Sequence, residues 1–192
     1  MSPWIFDLLA PVYNRFSHPW LVNPARIVPL LGLEGKEHIL DVAGGTGAVA
    51  HAIVQASRAH LTVLDASQAM LNQVPSHSRL RTIHGPANSL PFPAESFDIV
   101  LCTDSLHQLD PQNIVLAAMR RVLKPGGRLV LVDFDPDGLA GPALSWGENL
   151  FKQGHRFLPR TELGPMLQEA GFTGRFAPFS LIQYAFIGTK AT

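Results

Sequence analysis

Two acids, Asp41 and Asp65, each close a short apolar run: Ile39-Leu40 before the first, Leu61-Thr62-Val63-Leu64 before the second. Between them lies Val42-Ala43-Gly44-Gly45-Thr46-Gly47. Glycines without a Cβ can take positive φ values and let a ligand approach the backbone closely. An acid at the end of the second strand is where a nucleotide-binding fold sets a carboxylate for ribose hydroxyls. Its two oxygens can accept from two adjacent hydroxyls, in charge-assisted bonds about twice as strong as neutral ones. Asp41 adds a carboxylate beside the same opening. The pattern therefore describes a cofactor site, with a plain helix-cap or turn acid as the other reading of Asp65. Metal chemistry is not expected: His51, His60, His77, His84 and His155 fall at no ligand spacing with a cysteine or carboxylate pair.

The elements that must hold these residues follow from periodicity. After Asp65 come a helical segment at 67–71, a short strand at 81–84 and a turn at Gly85-Pro86. Residues 97–102 read as a buried strand, 113–123 as a helix stopped by Lys124-Pro125-Gly126-Gly127, and 128–132 as the next strand. Such βα units connect by right-handed crossovers into a parallel sheet covered on both faces, with ligands beyond the carboxyl ends of its strands. Thr161 is expected to cap a helix that runs to Ala170 and ends at Gly171. Residues 172–178 and 181–189 then form a terminal antiparallel hairpin. The expected fold is α/β, a doubly wound, mostly parallel seven-stranded sheet. It is read as one domain over 1–192, made of a helical cap at 1–35, a cofactor-binding core at 36–133, an acceptor-side segment at 134–158 and a terminal helix and hairpin at 159–192.

Composition narrows the function. The 192 residues are 46% hydrophobic, enough for a core, and 15 basic residues balance 15 acidic ones. A protein that tracks a phosphate backbone carries a broad positive field, so nucleic acid is disfavoured as a partner. No apolar run is long enough for stable membrane insertion and the N-terminus lacks a signal pattern, which leads to the expectation of a soluble cytoplasmic protein. The lone Cys102, inside an apolar run, reads as a small core residue.

Four ordered blocks carry a resemblance. They are Leu40-Asp41-Val42-Ala43-Gly44-Gly45-Thr46-Gly47, Leu64-Asp65-Ala66-Ser67-Gln68-Ala69-Met70-Leu71, Leu90-Pro91-Phe92-Pro93-Ala94-Glu95-Ser96-Phe97-Asp98 and Arg121-Val122-Leu123-Lys124-Pro125-Gly126-Gly127-Arg128-Leu129. Together they resemble the class I S-adenosylmethionine-dependent methyltransferases, in particular the ubiquinone/menaquinone-biosynthesis C-methyltransferases. The resemblance implies S-adenosyl-L-methionine as cofactor, with its methionine part against Gly44, Gly45 and Gly47, its ribose on Asp65 and its ammonium oriented by Asp41. Ala43, Ala66, Met70, Ala87, Asn88 and Thr103 complete the implied cofactor-binding set. One departure concerns adenine: the family's Gly-Asp-Ala-Glu is replaced by Gly85-Pro86-Ala87-Asn88, which leaves the Ala87 amide, with Asn88 as a substitute acceptor.

On the acceptor side the resemblance puts His107 near the transferable methyl. A neutral imidazole there could take a proton from the acceptor, and a residue packed beneath the cofactor is the alternative. Tyr13 resembles an N-terminal tyrosine that closes over the site, and Trp146, Phe151, His155 and Phe157 could line an acceptor pocket or form ordinary core. The implied reaction is an in-line displacement on a small-molecule acceptor, in which alignment can be worth about 7–11 kcal/mol. Thr103-Asp104-Ser105-Leu106 lacks the Pro-Pro motif of nucleobase amine methylation, and one cysteine is too few for arsenite chemistry. A nicotinamide enzyme would want G-x-G-x-x-G, which Gly44-Gly45-Thr46-Gly47 does not fit. A non-catalytic cofactor-binding module stays open as the rival.

Overall fold

The computed structural model describes residues 23–138 and 156–191. Tyr13, Trp146, Phe151 and His155, with most of the expected N-terminal cap and acceptor-side segment, lie outside them. A helical turn α1 (Pro24–Ile27) is capped by the Asn23 side chain and passes into a 3-10 turn, Val28–Leu31. Then follow β1 (His38–Val42), α2 (Ala48–Ala56), β2 (His60–Asp65), α3 (Gln68–Leu71) and β3 (Leu80–His84). The second half comprises β4 (Phe97–Thr103), a 3-10 turn Leu106–Gln108, α4 (Gln112–Val122), β5 (Leu123–Phe134), α5 (Arg160–Glu169), β6 (Phe172–Pro178) and β7 (Gln183–Lys190).

The strands form one seven-stranded sheet in the order β3-β2-β1-β4-β5-β7-β6. β1 to β5 are parallel, while β7 runs antiparallel between β5 and β6. The strand order reverses between β1 and β4, and that switch point opens a crevice at the carboxyl ends. The central strands are almost uninterrupted apolar runs because both faces are covered. On one face α4 and α5 pack Leu116, Met119, Leu163 and Leu167 against Leu40, Val100 and Leu131. On the other, α1 and α2 pack Ile27, Val49, Ile53 and Val54 against Ile39, Val63 and Val130. Each such side chain, fully buried, contributes about 1.5–3 kcal/mol. A helix as short as the nine-residue α2 depends on that burial rather than on its own propensity.

Three local expectations are corrected. The hydrogen-bonded range of β5 starts at Leu123: the register with β4 jumps from Phe97↔Leu123 to Ile99↔Arg128, so the Pro-Gly-Gly segment bulges out of the ladder and does not precede it. Pro159, not Thr161, is the cap residue of α5, and the helix starts two positions earlier with no side-chain cap bond. The last strand begins at Gln183 because Leu181 sits in the hairpin turn, 75% exposed, where Phe179 and Ser180 N–H groups both reach the Gln183 carbonyl.

Candidate functional site

The turn after β1 is built for close approach. Ala43, Gly45 and Gly47 all have positive φ (55°, 57° and 70°), a region open to glycine and costly for alanine. Gly44 is required for another reason: a Cβ there would lie 2.7 Å from Asp41 Cγ and 2.9 Å from Val63 Cγ1. Gly44 N–H donates to the Leu64 carbonyl (3.2 Å) and Gly47 N–H to the Gly44 carbonyl (2.9 Å), which clamps the turn onto β2.

Asp65 fastens the other side. Its Oδ2 accepts from Gly45 N–H and its Oδ1 from Ser67 N–H, both at 2.8 Å. Ser67 Oγ in turn accepts from Met70 N–H at 3.1 Å, so one chain of bonds sets Asp65, Ala66 and Met70. Burial raises the Asp65 pKa against the lowering effect of the Ser67, Gly45 and Ala66 amides. The turn-acid and ligand-acid readings of Asp65 are thus compatible: a carboxylate offers about four acceptor positions and the backbone bonds take two.

Between these elements and the end of β4 lies a cavity of about 220 Å³. Of the expected cofactor residues, Ala43, Gly45, Asp65, Ala66, Met70, Ala87 and Asn88 line it, together with Pro86. Gly44, Gly47 and Thr103 do not: Gly44 packs behind the turn, Gly47 faces Val74, and Thr103 is buried in β4. Asp41 also lies behind the turn, 1% exposed, with no hydrogen-bond partner on either oxygen. Burial, then the nearby Asp65, push its pKa up to about 8.

His107 is placed differently from the expectation that set it at the mouth. It is 5% exposed and is not among the residues lining the cavity. Its Nδ1 lies 2.7 Å from Asp133 Oδ1, its backbone N–H donates to Asp133 Oδ2 (2.9 Å), and its Nε2 is 3.0 Å from Gln108 Nε2. Phe134 and Phe157 pack against the ring at centroid distances of 5.4 and 4.6 Å. With Nδ1 donating to the carboxylate, Nε2 is the acceptor for the Gln108 amide. Gln108, the next residue, reaches the cavity wall.

Sequence reasoning passed over Asp104, Ser105, Gln108 and Asp110, all of which line the cavity. Asp104 stands at φ 48° and is 8% exposed. Its backbone N–H donates to the Val132 carbonyl (2.8 Å), and Gln183 Nε2, from β7, donates to its Oδ1 (2.6 Å). Its Oδ2 is buried without a hydrogen-bond partner. Burial first, then the Asp133 charge, raise its pKa to about 8 against the opposing Gln183 bond. Ser105 Oγ reaches the Thr103 carbonyl (2.8 Å) and the Ala43 carbonyl (3.2 Å), which ties the end of β4 to the glycine turn. The available signal was positional, since Asp104 directly follows β4 much as Asp65 ends β2.

The donor set fits a cation. The charges acting on Asp41 and Asp104 are other carboxylates, Asp65 and Asp133, and both buried acids hold orphaned oxygens. A positively charged ligand with a vicinal diol would complement Asp104 and Asp65, the acids of this group that line the cavity. Among the described residues no group of three or more His, Cys, Asp or Glu could hold a metal ion, and no helix is long and apolar enough to cross a membrane.

The family model described as a methyltransferase domain matches residues 40–131. The chain is 34% identical over 143 residues to the demethylmenaquinone methyltransferase of Clavibacter sepedonicus, covering 68% of this chain and 56% of that protein. It is 33% identical over 141 residues to the ubiquinone/menaquinone biosynthesis C-methyltransferase of Syntrophotalea carbinolica, covering 68% and 60%. Residues 40–131 carry the match to the methyltransferase domain, and the relatives with it support a class I S-adenosylmethionine-dependent methyltransferase. The fold agrees with that of the methyltransferase solved with the Haloferax volcanii Trm112 activator, with a TM-score of 0.85 at 15% identity over 97% of this chain and 98% of that one. This methyltransferase chain spans about six tenths of the length of the two curated relatives. The family's cofactor is S-adenosyl-L-methionine, and the residues around the cavity fit it.

Proposed function

We propose that the protein transfers a methyl group from S-adenosylmethionine to a small organic acceptor. When bound, the cofactor supplies an electrophilic methyl on a sulfonium and leaves as a neutral thioether. The observation that carries the reading is the pairing of Asp65 with the Ala43–Gly47 turn on one cavity wall, at the switch point of the sheet. In this reading Asp65 holds the ribose, Ala43 and Gly45 bring backbone against the methionine part while Gly44 and Gly47 shape the turn behind them, and Ala66, Met70 and Ala87 flank the adenine. Asp41, buried behind the turn, and Thr103 in β4 support the walls from behind. Pro86 brings no side-chain acceptor to the adenine amine, a task that falls to Asn88, which lines the same cavity.

The curated relatives named above act in ubiquinone and menaquinone biosynthesis, so a hydroxylated aromatic heads the acceptor classes. His107, held by Asp133, and Tyr13 are the acceptor-side residues of this reading. The reading is of a cytoplasmic enzyme working as a single domain on a small-molecule acceptor. Calorimetry with S-adenosylmethionine, followed by labelled methyl transfer into quinol, amine and carboxylate acceptors, tests it. Micromolar cofactor binding with transfer into one acceptor class is expected, and no cofactor binding would end the proposal. The rival is a cofactor-binding module without catalysis, favoured by an imidazole enclosed by Asp133, Phe134 and Phe157 away from the cavity. Tight binding with no transfer would support it.

A further inference from the structure

We propose that Asp104 is the catalytic base of the acceptor side, taking the hydroxyl proton of a phenolic or enolic methyl acceptor. The inference deepens the methyl-transfer reading and rests on it.

Four observations bear on Asp104. It lines the cavity, on the wall formed by the end of β4, opposite the Asp65 wall. Its Oδ2 is buried with no hydrogen-bond partner, although its Oδ1 is held by Gln183 at 2.6 Å. A buried, unsatisfied polar group costs about 1–3 kcal/mol, and a bound donor would offset that cost. Its backbone sits at φ 48°, a conformation costly for a residue other than glycine. That backbone is fixed by the bond to Val132 and the side chain by a residue 79 positions away, so the carboxyl is held from two different strands. Strain and an orphaned carboxyl oxygen at one position on a cavity wall are what a site produces when it is built for a ligand rather than for stability.

The surroundings suit a base. A carboxylate needs a pKa near that of the medium to accept a proton effectively, and burial together with Asp133 raises Asp104 to about 8. The groups facing it are Asp133 with its partner His107 on the β5 side, the uncharged Gln183 amide from β7, and the β1 turn, behind which Asp41 is buried. His107, by contrast, spends both ring nitrogens on Asp133 and Gln108 and does not line the cavity.

The step balances as follows. Asp104 Oδ2 accepts the hydroxyl proton, and the electron pair freed on the acceptor forms its new bond to the methyl carbon, at oxygen or at the conjugated ring carbon. The carbon–sulfur bond breaks with its pair going to sulfur. Asp104 then returns its proton to solvent, and a methylated ring carbon sheds its own proton to restore aromaticity.

The test uses the full chain and the Asp104→Asn and Asp104→Glu variants, with thermal melts as a check on folding. Two readouts are needed: methyl transfer to 1,4-dihydroxynaphthalene under reducing conditions, and the absorbance of 4-nitrophenol bound beside S-adenosylhomocysteine, which reports its ionisation without turnover. Asp104→Asn is expected to lower kcat/KM at least 100-fold, to leave S-adenosylmethionine affinity within threefold, and to abolish the rise of kcat/KM with pH through about 8. Asp104→Glu should restore part of the rate, and the wild type should shift bound 4-nitrophenol toward phenolate where Asp104→Asn does not. Transfer by Asp104→Asn within fivefold of wild type, or equal phenol ionisation in the two proteins, would overturn this proposal alone. Failure of the wild type to bind S-adenosylmethionine would overturn it together with the reading beneath it, whereas transfer only to amine or carboxylate acceptors would overturn this proposal and leave that reading in place.

Discussion

The two walls of the cavity are made in different ways. The β1–β2 wall is contiguous: Asp65 reaches Gly45 across 20 residues and Ser67 across two, and every bond it makes there is to backbone N–H. The β4 wall is assembled from afar: Gln183 reaches Asp104 across 79 residues and Asp133 reaches His107 across 26, side chain to side chain. On the first wall both Asp65 oxygens hold a backbone bond before any ligand arrives, and on the second Asp104 Oδ2 is without a partner. A wall of the first kind suits a ligand that never varies. A wall of the second kind can change its chemistry through a single distant substitution.

The largest expected effect falls on the contiguous wall. Asp65→Ala removes two backbone bonds to a carboxylate as well as the ribose acceptor, each of the charge-assisted kind worth about 1.5–3 kcal/mol. Calorimetry should show S-adenosylmethionine affinity falling at least 100-fold, and a variant within threefold of wild type would erase the distinction between the walls. Gly44→Ala comes next. Its methyl would meet Asp41 and Val63 at less than 3 Å, an overpacking that costs about 1–3 kcal/mol in urea unfolding. An unchanged unfolding midpoint would show that the turn can yield.

Asp41 sharpens the comparison through pH. Its folded-state pKa of about 8 lies above the ordinary carboxylate value, so the folded chain binds the extra proton. The stabilisation is complete below the unfolded pKa and is lost as pH rises through about 8, at a rate on the order of 1 kcal/mol per pH unit for a single such group. Asp104 contributes with the same sign. Urea unfolding of the ligand-free protein at pH 5, 7 and 9 should therefore show falling stability, with a shallower fall in Asp41→Asn. Equal slopes in the two proteins would refute the assignment. The smallest effect is expected at the Arg156–Glu162 pair, whose side chains are 66% and 53% exposed. Arg156→Ala should change stability by less than about 0.5 kcal/mol, because exposed ion pairs contribute little.

The same contrast explains what could be read from the chain. The glycine turn, Asp65 and the β1–α2–β2 unit are legible because each constraint is local: a carboxylate two residues from the amide it accepts, and glycines where φ is positive or a Cβ would clash. The order of the strands is legible too, because alternating apolar runs and helices leave few ways to cover both faces of a sheet. The far wall is not. Nothing near Asp104 announces that Gln183 will meet it, and the histidine two residues beyond Ser105 looked more chemical than the aspartate before it. Only the packing of Phe134, Phe157 and Asp133 around that ring shows that it is enclosed and that its neighbour Gln108 is the residue on the cavity wall. The bulged start of β5 escaped for a related reason, since Pro-Gly-Gly ordinarily ends an element and here interrupts a ladder that had already begun at Leu123.

The antiparallel hairpin has a consequence for the order in which the molecule can be made. β7 is synthesised after β6, yet it is inserted between β5 and β6 and supplies the amide that steadies Asp104. While a ribosome is still translating the chain, β1 to β5 can pair and the glycine turn can close, but β5 keeps an open edge exposed to wrong pairings. The nascent polypeptide can thus form a nucleotide-holding face before it has a complete reaction chamber. Protection of that edge waits until residue 183 and its neighbours have cleared the exit tunnel.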